Sequence, residues 1–108
     1  MSETIYIGRA NRIKRELTRA GEVLSAGDKA GITKVQVIIQ GQCFDTAVDT
    51  DEIQYDDGKI TLQAGLREGL EPIDRTEAHI TVFDQPNPQG FAWGTFRVKI
   101  ESWPGCNG

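Results

Sequence analysis

The sequence has 108 residues, 38% hydrophobic and 26% charged, enough for one core and too short for two. A net charge of -4 opposes non-specific nucleic-acid binding, which needs a basic surface. No stretch reaches the length of a membrane-crossing helix, and MSETIYIGRANR lacks a signal peptide's apolar run, so cytoplasmic synthesis with no membrane partner is expected.

TIYIG (residues 4–8) reads as a short strand. The next stretch, NRIKRELTRAGEVLSA, has two readings. As a helix capped by Asn11 and ended by Gly21, it aligns Ile13, Leu17, Ala20 and Leu24 on one face. As a hairpin about Ala20-Gly21-Glu22, it turns Ile13, Leu17 and Val23 inward. The hairpin is preferred because every later element is a strand. SAGDKAGIT is then a loop with room for one helical turn.

ITKVQVIIQGQCF (residues 32–44) carries the strongest alternation, with Val35, Val37, Ile39 and Cys43 on one face. Gly41 is read as a bulge in it, and Cys43 as a buried structural thiol. Cytoplasmic synthesis disfavours a disulfide to Cys106, which lies in a tail (residues 104–108) expected to be flexible after a domain of residues 1–103. EIQYDDGKITLQ is a hairpin: Ile53 and Tyr55, then Ile60 and Leu62, flank Asp57-Gly58. LREGLEPIDR reads as an irregular connection.

EAHITVFD turns Ala78, Ile80 and Val82 inward and His79, Thr81 and Phe83 outward. TFRVKIES does the same with Phe96, Val98 and Ile100. Between them DQPNPQGFAWG is a loop, since Pro86 and Pro88 forbid continuous pairing. Six or seven short strands with regular turn signals give an all-β sandwich or barrel.

No chemistry stands out. His79 is a lone outward histidine, no serine or cysteine has an activating context, and GLREG lacks the frame of a phosphate loop. Asp45, Asp49, Asp51, Glu52, Asp56 and Asp57 form an acidic segment, read as a solvated face. DTDE begins like a calcium loop but Ile53 breaks the ligand pattern. Opposite stands a basic run, Arg9, Arg12, Lys14, Arg15 and Arg19. The two either favour ordered packing of copies and partners or pair with each other across neighbouring strands.

Taken in order, YIGRANRIKRELTRAGEVLSAGDKAGITKVQVIIQG, DEIQYDDGKITLQAGL and EAHITVFDQPNPQGFAWGTFRVKI resemble small immunoglobulin-like structural proteins of tailed bacteriophages and prophages, of the baseplate- or tail-associated type. The resemblance covers residues 4–101 and implies an immunoglobulin-like β-sandwich of about seven antiparallel strands. It also implies a virion structural or assembly protein, without enzymatic role or cofactor, made in the host cytoplasm and then held in the virion. Its partners would be other virion proteins or copies of itself as a homo-oligomer. Phe83, Phe91, Trp93 and Trp103 are the contact candidates, because aromatic anchors dominate interfaces; for Trp93, plugging the end of the core is the competing role. The rival reading is a ligand-binding sandwich for carbohydrate or calcium.

Overall fold

The computed structural model describes residues 3–19 and 21–103. Strands hold 57% of the chain and helix 6%, which places it in the all-β class. The described elements are β1 (Glu3–Ile7), β2 (Ile13–Glu16), β3 (Thr18–Arg19), β4 (Glu22–Val23), α1 (Ala26–Gly31), β5 (Ile32–Ile39), β6 (Gln42–Asp45), β7 (Ile53–Asp56), β8 (Lys59–Leu62), β9 (Ile73–Asp84) and β10 (Phe91–Ser102). They form a five-stranded sheet, β1-β10-β9-β5-β6, a three-stranded sheet, β2-β8-β7, and a ribbon of β3 and β4. The expected seven antiparallel strands are therefore not the pattern. Ten strands occur among the described residues, and β1 runs parallel to β10.

Alternation decides the core. Val35, Val37 and Ile39 of β5, Ala78, Ile80 and Val82 of β9, and Phe96, Val98 and Ile100 of β10 are all buried, as their spacing predicts. Ile13, Leu17, Ile53, Ile60 and Leu62 join them from the three-stranded sheet and its flank in a single apolar cluster. Asp57 and Gly58 have φ of 48° and 80°, so the β7–β8 hairpin turns where its Asp-Gly pair requires.

Five expectations need correction. Residues 32–44 are not one bulged strand but two strands joined at Gln40-Gly41, whose φ values are 50° and 77°. That turn resets the alternation. Val37 faces Phe44 and Ile38 faces Cys43 across the pair, so Phe44 is fully buried and Cys43 is an exposed free thiol.

β2, β3 and β4 are strands, as the hairpin reading has it: β2 pairs with β8, β3 with β4, and both Ile13 and Leu17 are buried. Burial outweighs helix propensities worth only tenths of a kcal/mol per residue, roughly. Val23, however, is 57% exposed. It pairs with Thr18 on the outer ribbon, and Leu24 takes the inward place. Ala20 of the expected turn, Cys106 and the tail lie outside the described residues.

Residues 73–75 are strand, not connection, since β9 begins at Ile73 and pairs there with Ile100. Finally, FAWG belongs to β10. The register slips between Ala92 and Gly94, a bulge at Trp93 that shifts the alternation by one residue. Phe91 therefore pairs with Val82 and packs on the core face.

Candidate functional site

The loop between β9 and β10 is held by its own polar groups. Asp84 accepts bonds at one carboxylate oxygen from the Asn87 amide (2.9 Å) and side chain (2.8 Å), and Gly90 N–H donates to the Asn87 carbonyl (3.0 Å). Gly90 has φ of 81°, and a Cβ there would stand 2.6 Å from the Phe83 ring. Glycine is needed twice over, for its torsion and for the aromatic lying against it.

Opposite the loop, Ser25 caps α1 by accepting a bond from the Asp28 amide (3.2 Å). β5 slips register between Ile32 and Lys34, and Thr33 Oγ1 donates to the Phe83 carbonyl (3.1 Å). Both neighbours of β9 are thus bulged at this end, by Thr33 on one side and Trp93 on the other. Between them lies a groove of about 930 Å³, lined by Leu24, Ile32, Lys34, Phe83, Phe91 and Trp93, with Pro86 and Pro88 on its loop side.

Three of the four aromatic candidates meet in this groove. Phe91 and Trp93 pack against the core, with ring centroids 5.8 Å apart, and both are half-buried. Phe83 is half-buried under the Lys34 ammonium, 4.3 Å from its ring centre. Trp103 is not part of it. It is 51% exposed, edge-on to Tyr6 at 4.7 Å, past the far end of a twelve-residue strand, roughly 40 Å away. Lys34, Leu24 and α1 were missed by sequence reasoning, because they reach the groove through contacts some fifty residues apart in the chain, such as Thr33 to Phe83.

The acidic segment is more engaged than a solvated face would be. Asp45 is 8% exposed and accepts from Gln36 (2.7 Å) and the Ala47 amide (2.8 Å), with Lys34 at 3.5 Å. Arg67 holds Glu52 with two bonds of 2.8 and 2.7 Å, approaches Asp49 at 3.4 Å, and donates to the Cys43 carbonyl at 3.0 Å. Among the described residues no group of three or more potential ligands could hold a metal. His79 is exposed on the outer face of β9. Local desolvation, then Asp45 and Asp49, push the Cys43 thiol up, away from the reactive thiolate.

Asp45 sets an acid response. Burial raises its pKa, but the bonds from Gln36 and Ala47, with Lys34 beside them, outweigh it and hold the carboxyl below its ordinary value. A lowered folded pKa gives stability that is present above the unfolded value and lost as pH falls through the folded one. The protein should lose stability as pH falls below about 4. Asp45→Asn should be less stable at neutral pH and respond more weakly to acid. Denaturant titrations at neutral and acid pH measure both, and an unchanged pH slope in the variant would remove Asp45 from the response.

Among the described residues no helix is long and apolar enough to cross a membrane. No protein-family model, no curated protein and no solved structure matches the chain.

Proposed function

We propose that the chain is an immunoglobulin-like β-sandwich serving as a non-enzymatic structural and assembly protein of a tailed phage or prophage, binding other virion proteins. Strand order supports the fold reading: β2-β8-β7 takes the places of strands B, E and D, and β10-β9-β5-β6 those of G, F, C and C′. The virion reading rests on the resemblance of layout. The binding reading is carried by the groove, where two bulges and a bonded loop gather Phe83, Phe91 and Trp93 around an open cleft of mixed polar and apolar lining. Its occupant is an extended segment of another virion protein presenting an apolar side chain. Pro86 and Pro88 restrict the free loop, so less entropy is lost when the segment docks. The calcium reading is less well supported, since Lys34 and Arg67 already hold Asp45, Asp49 and Glu52 of the acidic segment.

Two measurements test this. Mass spectrometry of particles induced from the encoding strain should find the chain at structural copy number; its absence from intact particles would refute the virion role. Phe91→Ala and Trp93→Ala should each cost about 1–3 kcal/mol of stability, less than full aromatic truncation because both rings are half-buried. Trp93→Ala should also fail to enter particles at a temperature where it remains folded. Normal incorporation would make the groove a purely structural feature.

A further inference from the structure

Every open sheet has two edges, and proteins normally obstruct them. The five-stranded sheet does so with side chains. At β1, Asn11 accepts from the Tyr6 amide (3.3 Å) and donates to the Thr4 carbonyl (2.9 Å). At β6, Asp49 accepts from the Asp45 amide (2.9 Å), the Val48 and Asp49 amides take the Asp45 carbonyl, and Arg67 takes that of Cys43.

The three-stranded sheet is different. Leu17 N–H donates to Gly58 O in register with the β2–β8 pair, so alternation directs the backbone groups of Lys14 and Glu16 away from β8. By the same logic Gln63 N–H to Glu52 O directs those of Tyr55 outward from β7. Among the described residues no backbone or side-chain group meets them. The edges also differ in charge. β2 carries exposed Lys14 and Glu16, with exposed Arg12 just before it, and β7 carries exposed Asp56, with exposed Asp51 two residues before it.

We propose that copies of this chain associate head-to-tail, the β2 edge of one pairing with the β7 edge of the next. β2 and β7 both run antiparallel to β8 and hence parallel to each other, so a translated copy brings β7 alongside β2 in parallel. Lys14, Thr61 and Gln54 lie in one row across the sheet. A two-residue offset keeps the side chains on one face and places Asp56 beside Lys14. It also avoids setting Asp56 beside Glu16. Such a contact uses two different surfaces, so it propagates into a ring or filament rather than stopping at a dimer. This extends the assembly reading on a separate surface: its failure leaves the groove untested and intact, and failure of the groove leaves these edges as they are.

Sedimentation velocity on the purified chain decides it. At low salt the average mass should rise with protein concentration, and association should weaken at least tenfold at high salt, where screening shortens to about 3 Å. Lys14→Pro removes an outward N–H together with the Lys14 charge and should abolish association while the melting temperature stays close to wild type. Lys14→Glu and Asp56→Lys should each weaken association more than tenfold, and an equimolar mixture of the two should recover it through the reversed pair. A wild-type monomer at millimolar concentration in low salt overturns the proposal. So does undiminished association of folded Lys14→Pro, or a mixture no better than either variant alone.

Discussion

Phe44→Ala should destabilise the domain by about 3–5 kcal/mol, the cost of deleting a fully buried aromatic. Phe44 is the largest wholly buried side chain, and it faces Val37 across the β5–β6 pair. One ring face lies under the Arg67 guanidinium, 4.1 Å from its centre. Truncation therefore opens a cavity and also takes away the surface on which Arg67 rests. Phe44→Leu keeps most of the volume and should cost less than half as much. Urea denaturation of the two variants measures the difference. A Phe44→Ala loss below about 1.5 kcal/mol would mean that the site collapses around the vacancy.

Phe44 also marks where the sequence stops being legible. Alternation from Thr33 onward runs to Cys43 in the sequence, and Gly41, its one local break, reads as a bulge rather than a turn. Asp57-Gly58 announces its turn because both residues adopt left-handed torsions readily. Gln40-Gly41 does not, since glutamine has no such preference. What holds Gln40 there is distant: its side-chain amide donates to the Glu71 carbonyl (3.2 Å) and its oxygen accepts from the Glu71 amide (2.9 Å). A contact across thirty-one residues leaves no mark on a local pattern. The bulge at Trp93 hides in the same way, because a one-residue slip is defined only against the partner strand.

The aromatics of the candidate site were legible as large apolar residues beside a proline-rich turn. Their convergence was not, since it depends on bulges in two strands that never meet in sequence. Charge gave a similar partial view. The acidic and basic segments are plain in the chain, yet the acidic one is held mainly by Arg67 and Lys34, and Arg15 of the basic run reaches Glu3 at 3.8 Å. Arg67 itself lay in a stretch read as an irregular connection.

Arg67→Met should cost about 2–3 kcal/mol, below the usual range for breaking a buried ion pair because each partner stays partly wetted. Its side chain is 18% exposed, against 26% for Glu52 and 24% for Asp49. The paired bonds to Glu52 raise the guanidinium's pKa further, so the charge is fixed at any working pH. Methionine would still cover part of Phe44, and the loss would therefore report the charge and its bonds. Glu52 and Asp49 would be left close together with no cation, and the Cys43 carbonyl would lose its donor. Arg67→Lys separates charge from geometry. Lysine restores a positive charge but not the planar fork that meets both oxygens of Glu52 while reaching Cys43, so it should recover less than half of the loss. A double-mutant cycle with Glu52→Gln should give a coupling of at least 1 kcal/mol, roughly the floor for contacting charged groups. Full recovery by lysine, with no coupling, would reduce Arg67 to a diffuse counter-charge for the acidic segment and leave the β6 edge to be held by Asp49 and the Val48 amide.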